Sequence, residues 1–344
     1  MGQLGVRQVL VGAGALLAIA CAHAEQVEKV YRVGVLQSTS SDVAGLSDSF
    51  SLFGVLLADY GFVPEGPVSS PVKSGPARRV NWIRRFARES DTELAALASE
   101  LASQNVDVIL AIGAQPALAA KRATHTIPVV MLIQGDPVQL GLVASMGRPG
   151  ANVTGVTILA SQLAVKRLEL LKEAIPNLSR VAVVWNPNEP AHTDQWRAIE
   201  SASGQMKVEL QSIEASSADG FESVLATLRE TGAGALLVFS NRHTRSNARA
   251  IADIAASRRL PAMYADRAFV NPLYGGLMFY GPVDVEALRQ TAKLVAQLLE
   301  GAKPAALPVE QPSKFELVIN ATTADALGLV MPPSVLLRAD RVID

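Results

Sequence analysis

Val106–Asp136, VDVILAIGAQPALAAKRATHTIPVVMLIQGD, contains the repeating unit of the fold. Val106 to Ile112 is a near-continuous apolar run, as expected of a strand covered on both faces. Ile112-Gly113-Ala114-Gln115-Pro116 is a small-residue turn, with Pro116 suited to the first position of a helix. The helical stretch that follows runs into Lys121-Arg122. Ile127-Pro128 then opens a second apolar run that stops at Gln134-Gly135-Asp136. Gly234–Asp266 echoes this order: apolar strand, polar turn, helix, Arg258-Arg259, Leu260-Pro261, strand, Asp266. The two stretches differ by a few residues in length. Together they imply two similar α/β lobes facing each other.

The same alternation extends outward in both directions. Arg32 to Leu36 reads as the first strand, and Ser47 to Tyr60 has helical spacing with Phe50, Phe53, Leu57 and Tyr60 on one side. Pro64 to Pro76, rich in Pro, Ser and Gly, reads as a loop, and Val80 to Phe86 as a strand. Ser90-Asp91-Thr92-Glu93 is a capping box, in which the Ser side chain caps an amide and the Glu reaches back. Asn152 to Thr157, Arg180 to Trp185, Val208 to Ile213, Gly276 to Tyr280 and Phe315 to Asn320 read as further strands. His243 to Arg258 and Val283 to Leu299 read as helices. Strands alternating with helices predict parallel sheets covered by helices on both faces, and two sheets accommodate about ten strands better than one.

Composition sets the class. Of 344 residues, 49% are hydrophobic and 18% charged, with a net charge of −1. Such a balance opposes a nucleic-acid binder, which needs a clustered basic excess. Arg7 is the lone charge before the apolar run Val9 to Ala22, which ends in Ala22-His23-Ala24. That run is short for a bilayer span, which takes about 20 residues. It reads as an export signal over residues 1–24, cleaved before Glu25. A lipoprotein anchored at Cys21 is the lesser alternative. Cys21 is the single cysteine, so a processed chain carries no disulfide, thiol nucleophile or cysteine metal site.

In open α/β sheets, ligands sit beyond the carboxyl ends of the strands. The turns there supply the candidate ligand-binding residues: Ser38 after the first strand, Gly113, Ala114 and Gln115, Gly135 and Asp136, Asn186 and Asn188, and Ser240 and Asn241. Tyr264, Asp266 and Tyr280 complete the set. Turns that open a helix present unpaired amides to a carboxylate or other anion. The same residues also serve plain turn geometry. Asp136 suits capping of its own helix, and the tyrosines suit packing. His125, His192 and His243 lie in polar stretches without metal spacing and read as solvated. No nucleophile elbow or phosphate loop appears, so the chain is expected to be neither an enzyme nor a cofactor carrier. Arg78-Arg79 and Arg84-Arg85 read as a solvated basic face.

Longer matches then carry a resemblance. They include Ile127-Pro128-Val129-Val130, Gly135-Asp136-Pro137-Val138 and Arg148-Pro149-Gly150-Ala151-Asn152-Val153-Thr154-Gly155. Lys166-Arg167-Leu168-Glu169-Leu170-Leu171-Lys172, Leu307-Pro308-Val309-Glu310-Gln311-Pro312 and Lys314-Phe315-Glu316-Leu317-Val318-Ile319-Asn320 continue the series. From about Ser90 onward the chain resembles the ABC-transporter substrate-binding family that includes tryptophan- and tyrosine-binding members of the TrpX type. Ser38 to Phe86 and Ser240-Asn241-Arg242-His243 depart from that pattern.

The resemblance implies a periplasmic-binding-protein-like type I fold of two Rossmann-like lobes joined by a hinge. The first lobe is expected over 25–157 plus about 282–304, the second over 158–281 plus about 305–344. It also implies a monomer that binds a small amphipathic solute such as an amino acid in the periplasm and delivers it to the membrane permease subunits of a transporter. A periplasmic sensor feeding a membrane signalling protein is the alternative. An exported enzyme lacks a base near a nucleophile, and a cytoplasmic repressor lacks both the DNA-binding helices and a reason for the export signal.

Overall fold

The computed structural model describes residues 29–38, 46–65, 77–87, 91–216 and 221–344. The export signal, Cys21, Ser90 of the capping box and most of the Pro64–Pro76 loop lie outside these residues. The first sheet holds β1 (Tyr31–Gln37), β2 (Phe62–Pro64), β3 (Arg78–Phe86), β4 (Val108–Ile112), β5 (Val129–Gln134) and β6 (Val153–Ile158). Their order is β2-β3-β1-β4-β5-β6, parallel throughout. The second sheet holds β7 (Arg180–Trp185), β8 (Glu209–Glu214), β9 (Ala235–Val238), β10 (Ala262–Tyr264), β11 (Met278–Pro282), β12 (Phe315–Asn320) and β13 (Arg341–Ile343). Their order is β13-β12-β11-β10-β9-β7-β8, with only β11 and β12 antiparallel.

Helices cover both faces of each sheet. On the first, α1 (Leu46–Ala58) and α9 (Asp284–Leu299) pack one face, while α2 (Asp91–Ser103) and α3 (Ala114–Ala123) pack the other. On the second, α4 (Ala160–Ala174), α5 (Pro190–Met206) and α10 (Ala321–Leu327) share a core with β7, β9 and β12. The opposite face carries α6 (Phe221–Glu230) and α8 (Ala248–Ser257). The apolar runs read from sequence become these strands because side chains on both faces are covered: Val108 to Ala111 and Ala235 to Val238 are all buried.

Two details differ from the sequence reading. The helix expected over His243 to Arg258 is two helices, α7 (Arg242–Ser246) and α8, parted at Asn247, whose backbone leaves the helical region. Asn241 and Thr244 form a reciprocal capping box that starts the first of them, and a second helix restarts one residue beyond its end. The edge strands β2 and β13 are three residues each and give no periodicity to detect.

The chain passes between the lobes three times. It leaves β6 at Ile158 into α4, leaves β11 at Pro282 into α9, and returns ahead of β12. On this last passage Val309 is still in the first lobe's core, and Glu310 pairs with β6: its N–H donates to the Gly155 carbonyl at 2.9 Å. The chain is therefore still paired with the first sheet at Glu310. Gly155 makes this edge possible, because a Cβ there would stand 2.0 Å from the Met131 carbonyl oxygen.

Candidate functional site

The carboxyl ends of the two sheets face each other, and the lobes touch there. A Cβ on Gly135, after β5, would lie 3.4 Å from the Cβ of Ala191 in the first turn of α5. Beside the crossovers lies a cavity of about 70 Å³. Gln134 and Ile158 line it from the first lobe, and Arg167, Ser240, Arg245 and Asp266 from the second.

The first-lobe turns are built from backbone. Gly113 and Gly135 both sit at φ 108°, a conformation that favours glycine, and their amides donate to the Leu132 and Ile158 carbonyls at 2.9 Å. Asp136 caps its own turn, accepting from the Val138 amide at 2.8 Å and the Gln139 amide at 3.3 Å. Ser38 lies half-buried at the end of β1. Ala114 opens α3, but the exposed Gln115 lines a surface groove between α2 and α3 together with Leu94, Ser99 and Arg122. That groove shares no lining residue with the inter-lobe cavity.

The second-lobe turns carry side-chain chemistry. Asp266 accepts from Arg245 Nε at 2.6 Å, from Ser240 Oγ at 3.2 Å and from the Ala268 amide at 2.9 Å. Arg267 lies 2.8 Å from Glu316 as an ion pair in which the Nε–H is not aligned on the oxygen. Asn186 is buried; its Oδ1 accepts from the Asn188 amide at 2.9 Å, and Asn188 is exposed. Asn241 caps α7 through its Oδ1, while its Nδ2 is buried without a partner among the described residues. Tyr264 does not reach the cavity. Its ring is 1% exposed and stacks on Phe269 in the core, and burial holds its hydroxyl above the usual pKa. Tyr280 contributes its carbonyl, which accepts from Arg167 Nε at 2.7 Å, and stacks its ring on Phe315.

Two of the three histidines read as solvated are core residues. His125 is exposed, but His192 is 1% exposed and His243 3%. The Asn186 amide donates to His192 Nδ1 at 3.0 Å, which leaves the proton on Nε2 to donate to the Ser240 carbonyl at 3.0 Å. Burial lowers the imidazole's pKa to about 4, with the nearby Arg167 charge acting in the same direction. The ring thus ties the β7 turn to the β9 turn as a neutral strut. The polar neighbours of His192 in sequence hid this, since its partners are 6 and 48 residues away.

Arg167 is the other residue missed. It stands in α4 on the stripe formed by Leu163, Ala164, Leu168 and Leu171, all buried, and is itself 3% exposed. A charged residue on an apolar helical stripe was the available signal. Burial lowers its pKa to about 10, so it stays charged at neutral pH.

Among the described residues no helix is long and apolar enough to cross a membrane. A family model described as ABC transporter substrate binding protein matches residues 75–343. A curated Tyrosine-binding protein of Clostridioides difficile is 28% identical over 235 residues, covering 68% of this chain and 66% of that one, just under two thirds of its length. Among solved structures, a conserved domain protein from Vibrio cholerae is 25% identical with a TM-score of 0.78, over 91% of this chain and 100% of its own. An ABC domain in complex with L-Trp from Streptococcus pneumonia is also 25% identical, with a TM-score of 0.75 over 90% of this chain and 100% of its own.

Proposed function

Since the chain belongs to the ABC transporter substrate-binding protein family, we propose that it is the extracytoplasmic receptor of an importer and that its solute is an amino acid or a close amphipathic relative. The observation that carries this reading is the cavity between the crossovers, walled by Gln134 and Ile158 on one side and Ser240, Arg245 and Asp266 on the other. A solute held by both walls stabilises the closed arrangement, because it makes its full set of contacts only there. Membrane permease subunits then receive a surface that exists only in the loaded form. The names of two relatives, one tyrosine-binding and one bound to L-Trp, support an aromatic amino acid as the first solute to test. The processed protein acts as a periplasmic monomer, exported by the segment ending at Ala24.

A thermal-shift panel of L-amino acids, aromatic acids, nucleosides and small sugars tests this. Binding to the native state adds about 2.7 kcal/mol at a hundredfold excess over Kd, enough to move a melting point visibly. Selective stabilisation by one or a few amino acids is the expected result. Stabilisation by sugars or nucleosides alone would replace the solute class.

A further inference from the structure

Three cationic groups line the cavity from the second lobe, and two of them are already balanced. Arg245 is paired with Asp266, and Arg267 with Glu316. Arg167 is not. Among the described residues its one hydrogen bond is from Nε to the Tyr280 carbonyl, and no carboxylate lies within ion-pair distance of it. A buried guanidinium without a counter-ion is costly unless something supplies the charge. Arg167 lines the cavity, and its Nη2 lies 3.6 Å from where a Cβ on Gly281 would stand.

We infer that Arg167 is the anchor for a carboxylate on the cleft solute. This rests on the solute-receptor reading above and names the end of the ligand that the second lobe holds. A guanidinium offers two parallel N–H donors to one carboxylate, and a cavity of about 70 Å³ has room for such a group. Asp266, with all its visible acceptor contacts taken by Ser240, Arg245 and the Ala268 amide, has no charge to spare for an ammonium group. The solute therefore enters with its carboxylate toward the second lobe, opposite to the orientation that the helix-start amides near Gly113 suggest.

Calorimetric titration of the wild-type protein with matched compounds tests the anchor: L-tyrosine, L-tyrosinamide, tyramine and 4-hydroxyphenylacetate, and the corresponding indole set. Carboxylates are expected to bind at least about 30-fold tighter than their amide or amine counterparts, the scale of a charge-assisted hydrogen bond. Arg167→Gln should reduce that ratio to a few-fold, and Arg167→Lys should keep most of it, a selectivity that a purely structural arginine would not control. Acids without an amine binding as well as the amino acids would uphold the anchor and overturn the amino-acid reading. Tyramine or tyrosinamide binding as tightly as tyrosine would overturn the anchor and leave the receptor reading standing. Binding of no carboxylate in the set would also overturn it. If Arg167→Gln fails to fold, the wild-type ratios decide the matter alone.

Discussion

The two walls of the cleft are made differently. The described turns of the first lobe are shaped by backbone: Gly113 and Gly135 at positive φ, and Asp136 turned back on its own amides. Those of the second lobe are held by side chains that reach across the sheet: His192 between the β7 and β9 turns, Asp266 between Ser240 and Arg245, and Arg167 on the Tyr280 carbonyl. A backbone wall offers shape and amides to many solutes, whereas a wall of placed charges discriminates among them. On the proposed receptor reading, solute choice then resides in the second lobe, and the two walls should fail in different ways when altered.

The largest effect should come from the backbone side. Gly155→Ala places a Cβ 2.0 Å from the Met131 carbonyl oxygen at φ 149°, and no side chain can move aside to relieve it. A loss on the order of 4 kcal/mol, read by denaturant unfolding, is expected. A loss under about 1 kcal/mol would show that the β5–β6 edge can shift and that the backbone wall is soft.

Acidification should strike the second lobe. His192 has its pKa lowered to about 4 in the folded protein, from an ordinary value near 6.5. The unfolded chain therefore takes up this proton first as pH falls. Stability is fully present above pH 6.5 and is lost progressively between there and pH 4, by about 3 kcal/mol from this one group. Arg167 opposes the protonated ring, while Glu189, 3.6 Å from Nε2, is the acidic group that would favour it. Unfolding of wild type and His192→Gln at pH 7 and pH 4.5 checks this. The variant should start less stable and lose less on acidification; equal losses would mean that the strut does not set the pH response.

Smaller effects sharpen the contrast. Gly135→Ala strains a positive-φ turn, while its Cβ meets Ala191 at an ordinary contact distance. It should cost about 1–2 kcal/mol of stability with little change in solute preference. Gln115→Ala should change solute affinity less than about twofold, because the contact its side chain would lose is worth little outside the cavity. A tenfold loss there would return Gln115 to the cleft and redraw the first-lobe wall.

What was readable in the sequence follows from what is local. The turns at Gly113, Gly135 and Asp136 were found because glycine, proline and aspartate mark such geometry by their own conformational limits. Asp136 as a cap of its own turn was equally local. Arg167 was passed over within the matched stretch Lys166 to Lys172, and His192 was taken for a solvated residue, because the partners of both are distant in the chain. Tyr264 was counted toward the cleft, since a strand end alone does not tell whether a ring turns outward or, as here, into the core against Phe269.

The sequence by itself determined the alternation of buried strands and amphipathic helices and the two-lobed α/β class, because periodicity and turn chemistry act over a few residues at a time, while its matched stretches carried the family resemblance. Only the tertiary structure decided which charges are paired, that His192 is neutral and buried, and that Arg167 lines the cavity with no carboxylate of the described residues beside it. Those properties depend on burial and on the proximity of groups far apart in the chain, and both arise only when the sheets are assembled.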